Sequence, residues 1–245
     1  RNLYHKLQEG QNLCFADNVD KIDKNIYKLL DDAVLEFAAT SYIPPYAEVV
    51  DGLWAEIKSR PIDGHSGIPF FIPELNEFAT IDAGELFLFG GKEKSGKSMM
   101  LLQCAVDLLR QNKRVLYLDS ELNSRLFTAR LLAHLTKTEF MTIKSGKYGQ
   151  DVIDKVDKAI AWLKQKTFTH IYLPLLDEQT LYTTVKKVYH TSGIDVLIVD
   201  YIKATGSEDA FENYAKLGNM TDMIKNTICG SMNIAGIGAV QLTAT

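Results

Sequence analysis

Residues 91–98 read Gly-Lys-Glu-Lys-Ser-Gly-Lys-Ser, which is a complete G-x-x-x-x-G-K-S phosphate-binding loop. An apolar run at residues 86–89 precedes the loop, and a segment with helical spacing of apolar residues begins at Met99. A strand, a glycine-rich turn and a helix N-terminus in this order bring backbone N–H groups to a bound phosphate. A chance glycine-rich turn would not account for both flanks. The sequence therefore predicts a nucleotide site.

Several positions of the loop have a chemical task that suits their residue type. Gly91 and Gly96 allow the backbone to wrap closely around phosphate oxygens. Lys97 would reach the β- and γ-phosphates of ATP, and the Ser98 hydroxyl would ligate Mg²⁺. The predicted nucleotide-binding residues are Gly91, Lys92, Glu93, Lys94, Ser95, Gly96, Lys97, Ser98 and Met99.

A magnesium ion in such a site needs an acidic ligand from elsewhere in the chain. The apolar run Val-Leu-Ile-Val at residues 196–199 is typical of a buried parallel strand, and it ends in Asp200. Open α/β sheets bind ligands at the carboxyl ends of their strands, so we expect Asp200 to hold Mg²⁺ directly or through water. Ser98 and Asp200 are the predicted metal ligands.

The residue that orients an attacking water is less plainly marked. Tyr201 rather than a glutamate follows Asp200. Glu121 lies just beyond another predicted strand, residues 115–119, where it would approach the γ-phosphate. Two alternatives stay open. Glu121 could instead be an acidic residue at the start of the next helix, and Asp119 competes with it for the same task.

A polar amide interrupts the last predicted strand, residues 234–242, which is otherwise small and apolar. Gln241 could sense the γ-phosphate through a hydrogen bond, or it could be satisfied by neighbouring backbone at the edge of the protein. We count Gln241 with Glu121 and Lys97 among the predicted catalytic residues.

From residue 67 onwards, apolar strands alternate with amphipathic helices, which is typical of a parallel sheet with crossover helices. Predicted strands cover residues 85–89, 115–119, 170–175, 196–200 and 234–242. Predicted helices cover residues 97–111, 124–135, 152–165, 179–190 and 214–232. The predicted fold class is therefore α/β.

The first 66 residues have a different pattern. Residues 20–39 carry one apolar helical stripe, which two prolines end, and a shorter stripe runs through residues 49–57. Residues 60–67 are rich in turn formers. We expect a helical linker at residues 1–66 and one α/β domain at residues 67–245.

Composition narrows the class of protein. The 27 Lys and Arg and 31 Asp and Glu give a net charge of −4, which argues against a basic coat for duplex DNA but allows a local positive groove. No apolar run approaches the roughly 18 residues of a membrane span. We therefore predict a cytoplasmic protein without membrane contact. Three separated cysteines fit a reducing compartment.

Together these motifs resemble the RecA-like ATPase domain of DnaB-type replicative helicases, bacterial or phage. Besides the phosphate loop, the resemblance rests on Ser-Glu-Leu at 120–122, Arg-Leu-Leu-Ala at 130–133, Asp-Tyr-Ile at 200–202 and Val-Gln-Leu at 240–242. It covers residues 67–245 and, more loosely, the linker helices before them.

The resemblance implies a homohexamer that hydrolyses ATP with Mg²⁺ between subunits, moves along single-stranded DNA and unwinds duplex. It also implies primase and a helicase loader as further partners, in a bacterial or phage-infected cell. The short helix around Leu53 would pack on a neighbouring subunit. Because the family continues into a DNA-contacting loop and an arginine finger, we expect residues 67–245 to be a C-terminally incomplete motor domain.

A different class of protein stays open on the same fold. A recombinase-like or clock-type ATPase would assemble with nucleotide without unwinding DNA.

Residues 203–209 look like a loop that faces a ring channel, but one basic and two acidic residues fit a solvated surface loop equally well.

Overall fold

A computed structural model gives the structure of the protein and describes residues 44–59, 67–202 and 210–242. The helix predicted at residues 20–39 lies outside these ranges, as do the loop at residues 203–209 and most of the turn-rich segment at residues 60–67. The chain divides into two compact units, Arg1–Arg60 and Pro61–Thr245.

The described part of the first unit is essentially one helix, α1 (Tyr46–Lys58). It begins directly after the two prolines at residues 44–45, which disfavour a helical conformation in the residues before them. Leu53, Trp54 and Ile57 are 45%, 53% and 47% exposed, so the stripe predicted from the sequence forms an accessible apolar face of α1.

The second unit is built on a five-stranded parallel sheet in the order β1-β5-β4-β2-β3. Its strands are β1 (Leu86–Gly91), β2 (Val115–Asp119), β3 (Phe168–Tyr172), β4 (Val196–Ile202) and β5 (Ala235–Gln241). The register sets Gly91 beside Gln241 at one side of the sheet. It sets Asp119 beside Asp200 in the middle. The predicted site residues therefore meet at the carboxyl edge.

Helices cover both faces of this sheet. They are α2 (Pro73–Asn76), α3 (Lys97–Arg110), α4 (Ser124–Thr136), α5 (Phe140–Ser145), α6 (Gln150–Leu163), α7 (Glu178–Ser192) and α8 (Ala210–Asp222), and α8 continues into a π-helical segment (Met223–Gly230). On one face, Leu101 and Phe127 share a buried core with Tyr117. On the other, Leu181 and Ile224 do so with Leu197. The predicted α/β fold with a parallel sheet is confirmed.

All five predicted strands are present, but some bounds differ. β3 ends at Tyr172 and not at residue 175, because its partner strand β2 ends at Asp119, which lies opposite Tyr172. The single helix predicted at residues 214–232 is α8 followed by the π-helical segment, which apolar periodicity does not distinguish from an α-helix. Helices α2 and α5 were not predicted, because four and six residues are too few for an amphipathic pattern. None of the described helices has the length and apolar character of a membrane span.

Candidate functional site

The loop between β1 and α3 depends on glycine at two positions. Gly96 directly precedes α3 and has a φ of 93°, a left-handed conformation that side chains disfavour. A Cβ on Gly91 would lie 2.5 Å from the Ser95 Oγ, so any other residue would require the Ser95 side chain to move. The turn is therefore compact, and the N-terminus of a 14-residue helix lies directly behind it.

Lys97 spans this loop. Its Nζ donates hydrogen bonds to the carbonyl oxygen of Gly91 at 3.0 Å and to that of Lys92 at 2.7 Å. Both acceptors are neutral, whereas phosphate oxygens carry charge and bind an ammonium more strongly. The lysine is thus positioned to exchange these carbonyl oxygens for an anionic ligand.

The two predicted metal ligands are in contact, although 102 positions separate them in the sequence. The Ser98 hydroxyl donates to Asp200 Oδ1 at 3.0 Å. On the other side, the Tyr117 hydroxyl donates to Asp200 Oδ2 at 2.8 Å, within the protein interior. Asp200 is 4% exposed, and it takes part in none of the ion pairs among the described residues.

Burial raises the pKa of Asp200 to about 6, even though the hydrogen bond from Tyr117 favours the ionised form. Burial also raises the pKa of Tyr117 well above its usual value, so Tyr117 is a neutral hydrogen-bond donor. A buried carboxylate that lacks a described cationic partner and touches a hydroxyl fits a hard divalent cation such as Mg²⁺, which prefers oxygen ligands.

Glu121 and Asp119, the two candidates for orienting water, occupy different environments. Glu121 is exposed and lines the cleft in front of the loop. Asp119 is 1% exposed, and its Oδ1 accepts backbone N–H groups instead. Helix α4 is capped by Asn123, whose side chain accepts the N–H of Leu126 at 3.1 Å. Glu121 is therefore neither buried like Asp119 nor the cap of α4.

The cleft has a volume of about 640 Å³, within the usual range of ligand pockets. Its lining consists of Glu93, Lys94, Ser95, Gly96, Lys97, Ser98, Met99, Glu121, Arg130, Ala133, His134, Thr138, Phe140, Tyr201 and Gln241. Three predicted residues do not line it. Gly91 and Lys92 offer carbonyl oxygens to Lys97, and Asp200 lies buried behind Ser98.

Sequence reasoning missed Tyr117, Tyr201 and Arg130 as parts of the site. Tyr117 precedes Asp119 by two residues and so shares its strand face, which was the available signal for a buried hydroxyl near the predicted metal ligand. The Tyr201 ring centroid lies 6.0 Å from Lys97 Nζ. Burial, and after it the nearby charge of Glu121, raises the pKa of Tyr201. Arg130, which α4 contributes to the cleft, belongs to the Arg-Leu-Leu-Ala motif at 130–133, but that motif gave it no role in the site.

A compact glycine loop at a helix N-terminus, facing a hydroxyl and a carboxylate at the carboxyl edge of a parallel sheet, is the arrangement of P-loop NTPases. Within that class, the profile described as DnaB-like helicase C terminal domain matches residues 67–244. The chain belongs to this family, and the predicted resemblance is confirmed.

Curated relatives are similar at low identity. A probable plasmid replicative DNA helicase of Chlamydia psittaci is 26% identical over 154 residues, covering 62% of this chain and 34% of the relative. The replicative DNA helicase DnaB of Helicobacter pylori (strain ATCC 700392 / 26695) is 21% identical over 232 residues, covering 93% and 46%. The chain thus spans between a third and a half of the length of these relatives.

Solved structures share the fold. One solved ATPase domain has a TM-score of 0.71 at 15% identity, covering 82% of this chain and 72% of that one. A DnaB-like replicative helicase, solved with its interactions with primase, has a TM-score of 0.66 at 14% identity, covering 98% and 59%. At these identities, the likeness shows the fold alone.

Proposed function

We propose that the chain is the motor portion of a replicative DNA helicase, which hydrolyses ATP at subunit interfaces, translocates on single-stranded DNA and unwinds duplex. The contact between Ser98 and Asp200, behind the loop that Lys97 spans, carries the proposal. Positioning and charge stabilisation are the main needs of phosphoryl transfer, and these groups meet them. Membership of the DnaB-like helicase family supports the action on DNA.

Nucleotide binding is assigned to the loop and to the first turn of α3. The loop N–H groups and the helix N-terminus favour phosphate oxygens, and Lys97 adds a positive charge. Ser98 and Asp200 would hold Mg²⁺, which supplies neutralisation of phosphate charge when it is bound. Tyr117 keeps the Asp200 carboxylate oriented from the protein interior.

Hydrolysis is assigned to Glu121, whose exposed carboxylate in the cleft can accept a hydrogen bond from water and orient it. Tyr201 lines the same part of the cleft and bears an interaction with Glu121 that helps to raise the pKa of the tyrosine. Gln241 ends β5 beside Gly91, so its amide could respond to the γ-phosphate and pass the change along β5.

Assembly is the next part of the proposal. A neighbouring subunit would supply a cationic side chain to the cleft, which suits hydrolysis between the subunits of a homohexamer. Residues 1–66 would form the linker and residues 67–245 most of the motor. The exposed face of α1, with Leu53 and Trp54, would pack on the neighbouring subunit.

DNA and protein partners complete the proposal. Single-stranded DNA is the proposed track. Primase is a proposed partner because a helicase with this fold was solved with its interactions with primase, and a helicase loader follows from the family. The proposed setting is the cytoplasm of a bacterial or phage-infected cell.

The direct test measures ATP hydrolysis by the full-length protein with and without single-stranded DNA. We expect DNA to raise the rate, and we expect Lys97→Ala and Glu121→Gln to reduce it by about 100-fold or more. Glu121→Gln should still bind ATP, whereas Lys97→Ala should bind it weakly. Turnover that is indifferent to DNA would contradict the helicase assignment.

Imaging of the full-length protein with ATP distinguishes the proposed motor from an assembly ATPase. A closed six-membered ring supports the helicase. An open filament on DNA would instead support a recombinase-like protein on the same fold, and nucleotide-dependent rings that never bind DNA would support a clock-type ATPase.

A further inference from the structure

We infer that Asp119 is a positioning residue that holds the backbone of Glu121, and that His170 braces Asp119 from behind. The inference rests on the proposed role of Glu121 in orienting water. Asp119 does not line the cleft and is 1% exposed, so it acts through its neighbour and touches no substrate.

One carboxylate oxygen of Asp119 accepts hydrogen bonds from the turn that carries Glu121. Asp119 Oδ1 accepts the backbone N–H of Glu121 at 2.8 Å and that of Leu122 at 2.6 Å. Both N–H groups lie in the turn between β2 and α4, where neither ladder nor helix provides an acceptor. A charged acceptor makes such bonds short and strong. The Glu121 backbone is therefore held by a side chain two residues earlier.

Asp119 is itself held from both sides by the sheet. Its carbonyl oxygen accepts the N–H of Leu173, just after β3, at 2.7 Å. The next residue, Ser120, donates its N–H to the carbonyl oxygen of Asp200 in β4 at 2.8 Å. The turn that carries Glu121 is thus tied to β3 and to the strand that bears the metal ligand. A rigid support of this kind is what an oriented catalytic carboxylate requires.

The second observation is the other carboxylate oxygen. Among the described residues, Asp119 Oδ2 is buried without a hydrogen-bond partner, and so is Nε2 of His170, which lies 3.9 Å away. The His170 ring stacks on Phe127 of α4, with centroids 3.8 Å apart and planes at 13°. Two buried polar atoms that face each other cost stability unless they pair, and a shift of about 1 Å would let Nε2–H donate to Oδ2.

Three elements of the fold therefore meet at the turn that carries Glu121. β2 contributes Asp119, β3 contributes His170, and α4 contributes Phe127 immediately after the turn. Deleting the carboxylate would leave the two N–H groups in the turn without their acceptor. We expect Glu121 then to sample other orientations, and a misplacement of about 1 Å can cost on the order of 100-fold in rate.

The first experiment measures amide hydrogen exchange in the full-length protein without nucleotide. In Asp119→Ala, the amides of Glu121 and Leu122 should exchange at least about 10-fold faster than in the wild type. Asp119→Asn should be close to wild type, since its Oδ1 still accepts both N–H groups and its Nδ2 faces His170. Ser120→Ala is the matched control, because none of the described residues forms a hydrogen bond with the Ser120 Oγ. Unchanged exchange in Asp119→Ala would overturn the inference.

The second experiment separates positioning from a merely structural role. Asp119→Ala should lower kcat about 10- to 100-fold and leave the Kd for ATP within about twofold. In a Glu121→Gln background, Asp119→Ala should lower kcat no further, because it acts through that carboxylate. A further loss in the double variant, or a loss that appears in ATP affinity alone, would overturn the inference.

His170→Phe covers the case in which Asp119→Ala does not fold. It retains the ring on Phe127 and removes Nε2, so we expect a folded protein with about two- to threefold faster exchange at the same amides. Wild-type exchange in His170→Phe would overturn the brace. A wild-type protein that hydrolyses no ATP would instead overturn the proposed function, and amide exchange would still decide whether Asp119 holds Glu121.

Discussion

The paired strands β2 and β4 have an aspartate at each end, one directly before β4 and one within it. The two aspartates lie in opposite environments. At the amino end, Asp195 accepts from Arg114 Nη2 at 2.6 Å, from its Nε at 3.1 Å and from its backbone N–H at 2.7 Å. The two side chains are 47% and 31% exposed. At the carboxyl end, Asp200 is buried and accepts hydrogen bonds from hydroxyl groups. It forms no ion pair with a cationic side chain among the described residues.

The pKa values of the two carboxyls differ accordingly. Hydrogen bonding to Arg114 lowers the pKa of Asp195, whereas burial raises that of Asp200 to about 6. One end of the strand pair is therefore stabilised by its own charges. The other end keeps a buried carboxylate without a cationic partner among the described residues, an arrangement that fits the proposed metal site.

The largest expected effect comes from Asp200→Asn. Removing the metal-binding charge should reduce ATP hydrolysis about 100-fold or more. The free energy of unfolding without nucleotide at pH 7 should rise by about 1–3 kcal/mol, because an unpaired buried charge is removed. Steady-state hydrolysis and urea unfolding in EDTA measure the two effects. If this variant is less stable than the wild type, Asp200 is a structural ion and the contrast between the two ends is wrong.

Tyr117→Phe should have a smaller effect on the same end. Losing the hydroxyl that orients Asp200 Oδ2 should raise the Mg²⁺ concentration for half-maximal hydrolysis about 10-fold. A Mg²⁺ titration of the ATPase rate measures this change. Tyr182→Phe, on α7 beside the opposite core, is the control and should leave the titration unaltered. Equal titrations for both variants would mean that Tyr117 does not act on the metal site.

Asp195→Asn should affect only stability. We expect the free energy of unfolding to fall by about 0.5–1 kcal/mol, since the ion pair is partly exposed, and ATP hydrolysis to remain at the wild-type rate. Urea unfolding at low and high salt checks the first point, because salt screens such pairs. A loss of hydrolysis here would show that the amino end also serves the site.

The smallest expected effect is the pH dependence of the difference in unfolding free energy between the wild type and Asp195→Asn. The pKa of Asp195 is lower in the folded protein, so its ionised form contributes stability above the unfolded pKa of about 3.9. The gap in unfolding free energy between the wild type and Asp195→Asn should be constant above about pH 5 and should close as pH falls through the lowered folded pKa. A gap that instead widens on acidification would contradict the assignment of stability to this ion pair.

Local patterns were sufficient for much of the fold. Apolar runs marked all five strands, most plainly β2 and β4, because parallel strands that are buried on both faces need continuous hydrophobic sequence. They did not mark where β3 ends or where α8 becomes π-helical, because partner register and backbone hydrogen bonding decide those points. The short helices α2 and α5 carry too little periodicity to be recognised.

The candidate site likewise contains residues that the local sequence marks and residues that it does not mark. The loop and Asp200 were recognisable because each has a local signature, glycine spacing in one case and a charged end of an apolar strand in the other. The Tyr117 hydroxyl, the cap at Asn123 and the Asp119–His170 couple depend on contacts between separate elements. Their residue types are ordinary in sequence, and only packing brings the polar atoms together.

By itself, the sequence determined an α/β chain with a phosphate-binding loop and an acidic residue at the carboxyl end of a buried strand, because glycine spacing and hydrophobic runs are local properties. Only the tertiary structure distinguished the environments of Asp119 and Glu121, the two candidates for orienting water. In a continued strand these two side chains would share one face. Because β2 ends at Asp119 and its carboxylate binds the N–H groups of the turn, Asp119 stays buried and Glu121 faces the cleft.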